Sequence, residues 1–211
     1  MKLLKRNLAF VLTLAMVLGL MVSASAMNIK DYSDYNEITH LEAIDLLTSL
    51  GILEGTDGKF NPQDVLTREQ GAKIIAYLML GKEGAEALST SVAPFKDVAS
   101  GRWSAGFIAY CASQGIIGGY GNGLFGVNDP VTREQTAAII ARYAKSCGVD
   151  TTADPSQLST FSDSSSVSAY AVMPMAWAVK AGLINGDSGK LLPTGSATRA
   201  QAAAILIRYL D

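Results

Sequence analysis

Cysteine is almost missing from this chain: Cys111 and Cys147 are the only two in 211 residues. An exported protein could join them. However, Cys111 falls in an apolar helical run and reads as a small core residue, and neither cysteine recurs elsewhere in the chain's internal pattern, so no disulfide scaffold is implied. Histidine occurs once, as His40. A Ser-His-Asp hydrolase would need it for every role, and it reads instead as structural or solvent-facing. Long apolar runs are scarce. Leu8 to Val22 is the one continuous stretch, and it is shorter than the ~20 residues of a membrane-spanning helix. Lys2, Lys5 and Arg6 precede it and Ala24-Ser25-Ala26 follow it, the layout of a secretory signal peptide over residues 1–26. No Cys near the cleavage site offers a lipid anchor, and no transmembrane segment is expected in the mature chain. A basic surface is lacking too. Without the three leader cations, 14 Lys and Arg face 19 Asp and Glu, a net of −5. That excludes non-specific nucleic-acid binding.

What the chain has is repetition. Leu66-Thr67-Arg68-Glu69-Gln70, Val131-Thr132-Arg133-Glu134-Gln135 and Ala197-Thr198-Arg199-Ala200-Gln201 place their threonines 65 and 66 residues apart. A period that regular decides architecture before anything else. Each Thr precedes an Ala-rich run with Gln three residues on, which is a capping box at a helix start. The Arg fits less well, because a cation in the first turn opposes the helix dipole. A neighbouring carboxylate, Glu69 or Glu134, could pair with it. In the third copy Ala200 replaces the Glu while Arg199 stays, so a separate role for the arginine is expected.

The pattern divides the chain into a leader (1–26), repeat one (27–80), a linker (81–94), repeat two (95–145), a linker (146–160) and repeat three (161–211), with no stretch left for a catalytic or cargo domain. Each repeat reads as helix, glycine loop, helix. In repeat one Leu41, Ile44, Leu47 and Ile52 form the apolar face. In repeat two, Gly115-Ile116-Ile117-Gly118-Gly119 closes the first helix, and Gly115 and Gly119 are expected at positive φ. Gly51-Ile52-Leu53-Glu54-Gly55 and Gly182-Leu183-Ile184-Asn185-Gly186 are its counterparts. Alanines such as Ala137, Ala138, Ala141 and Ala202–Ala204 allow close helix approach. Two helices with one apolar face cannot bury it alone. The expected fold is all-α: three helix-loop-helix repeats in a pseudo-three-fold bundle rather than an extended solenoid.

An aromatic-x-Asp start (Tyr32 to Asp34, Phe95 to Asp97, Phe161 to Asp163), an aromatic such as Trp103 about eight residues later, Gly-Ile-Ile-x-Gly, Phe-x-Pro and the Thr-Arg motif at this spacing resemble the S-layer homology (SLH) domain. The resemblance covers nearly all of the mature chain, and three tandem copies are that family's usual unit. It implies a pseudo-trimer with a central helical bundle and three inter-repeat grooves, located at the bacterial cell wall or S-layer. In the family those grooves bind secondary cell-wall polysaccharide, often pyruvylated. Carried onto this chain, it implies that Arg68, Arg133 and Arg199 face an anionic sugar. Helix-start N–H groups would assist them. Trp103 or Tyr170 would offer a flat face to the sugar ring, and Gly55, Gly119 and Gly186 would let backbone approach the ligand. Asp97 and Asp163, like Asp34, could touch the ligand or cap the first helix or its preceding turn. Trp103 and Tyr170 could equally be half-buried core, whereas Trp177 reads as core. Repeat one lacks the second aromatic, with Thr39 or His40 in its place. The groove using Trp103 and Arg133 is therefore expected to be the most competent.

Catalysis is not expected. No glycine loop has P-loop spacing, and no carboxylate pair stands out as a glycosidase pair would. Asp57 and Asp187 sit in turns, but the loops lack the alternating oxygen ligands of a calcium site. No metal or other cofactor is expected. The expected partner is anionic wall polysaccharide bound without covalent chemistry. The alternatives are peptidoglycan, or an envelope protein in a scaffold or self-assembly role.

Overall fold

The structure, a computed structural model, describes residues 28–89 and 95–210. The leader and part of the first linker lie outside the described residues. Six α-helices carry the fold: α1 (Leu41–Ser49), α2 (Arg68–Glu86), α3 (Ala105–Ser113), α4 (Arg133–Ser146), α5 (Val172–Lys180) and α6 (Arg199–Leu210). Short 3₁₀ turns precede α1 and α5, and no strand occurs among the described residues. The all-α expectation holds.

Helix starts follow the sequence chemistry. The Thr67 and Thr132 hydroxyls accept from the amides of Gln70 and Gln135, whose side chains accept the Thr amides in return. Thr198 and Gln201 repeat the exchange. The short helices stop at Gly51, Gly115 and Gly182, with φ of 68°, 67° and 72°. Only glycine adopts such values without cost. The amide of the next residue bonds back to Leu47, Cys111 or Ala178, a Schellman closure. Within α2 the helical backbone breaks at Gly81 (φ 71°, ψ 173°), and a short second helical piece continues to Glu86 in the stretch read as the first linker.

Packing is cyclic. Each short helix lies on the long helix of the preceding repeat: α3 on α2, α5 on α4, and α1 on α6. At the axis, the Leu66 amide donates to Ala197 O (3.0 Å), Ala197 to Val131 O (2.8 Å) and Val131 to Leu66 O (2.8 Å). Three chain segments thus close a ring of backbone hydrogen bonds. Ala137, Ala138 and Ala202–Ala204 are buried beside it, and the rings of Tyr143 and Tyr209 meet at 5.6 Å. Ile44, Leu47, Cys111 and Trp177 are core, as the periodicity implies, while Leu41 at 41% exposure is not. Cys111 sets its Sγ against Ala72 O at 3.4 Å.

Candidate functional site

The three arginines of the Thr-Arg motif all reach forward into the next repeat's glycine loop. Arg68 donates from Nε to Phe125 O (2.8 Å) and from Nη2 to Gly118 O (2.7 Å). Arg199 donates likewise to Phe60 O (3.0 Å) and Glu54 O (2.7 Å). Arg133 donates from Nε to Leu191 O (2.7 Å) and is only half-buried. Arg68 and Arg199 also lie over the rings of Phe125 and Phe60, at 4.8 and 4.7 Å, and both side chains are buried. Burial lowers the Arg68 guanidinium from its usual value, with Tyr120 and Asp129 acting against it. Neither Glu69 nor Glu134 pairs with its adjacent arginine.

This geometry corrects two expectations. The Nε/Nη2 edge that would grip a carboxylate bidentately is filled by loop carbonyls in Arg68 and Arg199. The helix-start amides are filled too. Those of Arg68 and Glu69 go to Asp129 O and Val127 O, those of Arg133 and Glu134 to Gly195 O and Pro193 O, and those of Arg199 and Ala200 to Asp64 O and Pro62 O. The motif's first work is to lock one repeat onto the next.

Two other groups of expected site residues are likewise engaged inside the fold. Asp97 accepts the amides of Phe125 (2.8 Å) and Gly126 (2.7 Å) on its two oxygens. Asp163 does the same for Leu191 and Leu192, and Asp34 for Phe60 and Asn61. Desolvation opposes ionisation of each, but the paired amides outweigh it and hold the carboxyl below its ordinary value. These aspartates bind their own loops; Asp34 and Asp163 make no side-chain cap bond to the following turn. Gly119 is not at positive φ. It is glycine for room, since a Cβ there would meet Leu124 O at 2.5 Å and the Phe95 ring at 2.6 Å. Gly55 lies equally close to Lys59 and Tyr32, and Gly186 to Phe161. What approaches these glycines is the repeat's own leading aromatic.

Trp103 and Tyr170 do stand out, 54% and 51% exposed. Tyr170 donates its hydroxyl to Glu134 (3.0 Å), which also receives the Ser168 amide and hydroxyl. Burial, then the Glu134 carboxylate, push the phenol up to about 12, so it remains a donor at neutral pH. In the equivalent place Glu69 accepts Arg102 twice at 2.8 Å and Ser104 at 2.6 Å.

Tyr170 and Arg68 line one groove of about 500 Å³, with the loop from Gly115 to Tyr120 and with Gln135, Ala138, Ile139 and Arg142 of α4. All three repeats contribute to it. Tyr120 stacks under Arg68 at 4.6 Å and donates its hydroxyl to Asp129 at 2.9 Å. A second groove, of about 490 Å³, holds Arg199 with Thr56, Phe60 and Asp64. Trp103 connects toward it through Phe107 (6.1 Å), Tyr77 (6.0 Å), Lys73 (5.1 Å) and Glu54 (2.8 Å). Arg133 instead faces repeat three, near Asp187, Asp163 and Arg208. The expected pairing of Trp103 with Arg133 is therefore not formed. His40, at the vacant aromatic position, is exposed with φ 58°. Tyr120, Arg142 and the Glu134 latch were not anticipated. The recurrence of Arg142 and Arg208 ten residues after Thr132 and Thr198 was the available signal.

Comparison with known proteins agrees with this architecture. The S-layer homology domain model matches residues 31–72, 94–137 and 160–203. The chain belongs to the S-layer homology domain family. The amylopullulanase of Thermoanaerobacterium thermosulfurigenes is 34% identical over 86% of this chain and 10% of its own length. The surface-layer 125 kDa protein of Lysinibacillus sphaericus is 30% identical over 85% of this chain and 15% of its own length. The cellulosome-anchoring protein of Acetivibrio thermocellus is 31% identical over 43% and 20%. This chain thus spans a tenth to a fifth of these relatives. Membership makes it a cell-surface or cell-wall protein built on a non-catalytic anchoring module. No described helix is long and apolar enough to cross a membrane.

Proposed function

We propose that this chain anchors to the bacterial cell wall by holding an anionic secondary wall polysaccharide, of the pyruvylated kind among others, without covalent chemistry. The observation that carries the reading is the groove between Arg68, α4 and Tyr170. It joins a half-exposed ring, pinned from behind by Glu134, to cationic side chains from two repeats. A sugar ring suits the aromatic face, and its charged substituent suits a guanidinium. The cellulosome-anchoring and surface-layer relatives support attachment as the role. Peptidoglycan and an envelope protein are the competing partners. Retention of the mature chain on purified walls, with and without their secondary polymer, separates them. Loss of retention on stripped walls is the expected outcome. Equal retention on both would assign the role to peptidoglycan or a protein.

A further inference from the structure

We infer that Arg142, rather than an arginine of the Thr-Arg motif, contacts the charged substituent of the polymer, and that the groove it lines is the one working groove of the three. This rests on the polysaccharide reading above and names the residue and groove that would carry it.

Arg68 and Arg142 differ in which of their donors are engaged. Arg68 has both Nε and Nη2 on loop carbonyls and is buried. Arg142 is exposed and donates only Nη1, to Ile116 O at 3.3 Å. Among the described residues its Nε and Nη2 meet no acceptor, and it forms no salt bridge. A guanidinium tethered at one end and open along the Nε/Nη2 edge is the form that grips a carboxylate or phosphate bidentately. The carboxylates nearby do not compete for it. Glu134 is taken by Ser168 and Tyr170, and Asp129 by Tyr120.

The three repeat junctions then differ at equivalent positions. At the Arg199 junction the matching positions are Lys73 and Glu54, which form an ion pair at 2.8 Å, and Tyr77 in place of Arg142. In the Arg68 groove those positions are Ala138, Gly118 and Arg142, so the floor is open and the cation free. On the Arg133 side they are Ala204, Asn185 and Arg208, but repeat one supplies Thr39 and His40 where a ring is needed. Open floor, free guanidinium and exposed ring coincide once.

Arg208 provides the control. It donates Nη1 to Leu183 O at 3.0 Å, the counterpart of the Arg142 bond to Ile116. Losing either arginine removes the same tether. We would titrate isolated secondary wall polymer into wild type, Arg142→Gln and Arg208→Gln by calorimetry, with thermal melts alongside. The expected result is one site per chain, at least a ten-fold loss in Arg142→Gln, unchanged affinity in Arg208→Gln, and matched melting shifts. The Arg142 effect should vanish on carboxylate-reduced polymer if a carboxylate is read. If it persists there but vanishes on polymer stripped of phosphate by hydrofluoric acid, a phosphate is read. Affinity of Arg142→Gln within two-fold of wild type, equal losses in both variants, or an effect that survives both treatments would overturn the assignment while leaving the polysaccharide reading in place. No binding by wild type would remove both.

Discussion

At the scale of single residues, positions that look ligand-directed in the sequence turn out to serve the loops. Asp34 is the clearest case, because both of its oxygens accept consecutive amides, of Phe60 at 2.8 Å and Asn61 at 2.7 Å. Asn in its place keeps one acceptor and sets an NH₂ against the other amide. Asp34→Asn should cost about 2 kcal/mol in denaturant melts, the scale of charge-assisted bonds left unmade. The pH dependence follows from the lowered carboxyls of Asp34, Asp97 and Asp163. A depressed folded value means the stabilisation is complete above the ordinary aspartate value and is lost as pH falls through the folded one. Wild type should therefore lose stability below about pH 4, and Asp34→Asn should show a shallower acid dependence. Gly119→Ala should destabilise by roughly 3 kcal/mol through overpacking against Leu124 O and Phe95. Leu192 is the reverse. It is 44% exposed with φ 52°, where repeat two has Gly126. Leu192→Gly should raise the melting point, since the left-handed conformation costs a β-carbon residue about 1 kcal/mol.

At the scale of elements, the sequence was most readable where the chemistry is local. Thr67, Thr132 and Thr198 announce their helices because an N-cap and its partner lie within four residues. Gly51, Gly115 and Gly182 announce the stops because a left-handed residue needs no tertiary partner. What could not be read is which repeat answers which. Arg68 lies 50 residues from Gly118 and Glu134 lies 36 from Tyr170, and such pairs follow from the cyclic order of packing. A repeat period is the same whether Arg68 turns inward to a carbonyl or outward to a sugar. The groove was therefore foreseeable as a class of site, but Tyr120, Arg142 and the pairing of Tyr170 with Arg68 were not. Removing a cap tests the local part. Thr132→Ala should cost about 1 kcal/mol, measured by urea unfolding. A loss much above that would mean the Thr132 backbone, bridged to Ser196, shifts with it.

At the scale of the molecule, stability is a property of the closed ring. Each short helix is buried by a helix of another repeat, and the α1 on α6 contact joins the two ends of the chain. Of the three ring bonds, those from Leu66 to Ala197 and from Ala197 to Val131 need repeat three, so two repeats cannot close the ring. Arg199 fastens the last repeat to the first, with Phe60 O and Glu54 O as acceptors. An open solenoid would lose stability by one repeat's share when shortened, since each unit there contacts only its neighbours. A ring loses two seams at once. Deletion of residues 160–211 exposes Ile44 and Leu47 on α1 and the apolar face of α4, and strands the Leu66 amide. The shortened chain should melt without a cooperative transition, and its Leu66 and Val131 amides should exchange freely with solvent. If it unfolds sharply near the wild-type midpoint, repeats one and two form an independent unit and the ring is not what holds the fold. The same closure bears on binding, because the Arg68 groove takes its ring from repeat three: the two-repeat chain should also lose all affinity for wall polymer.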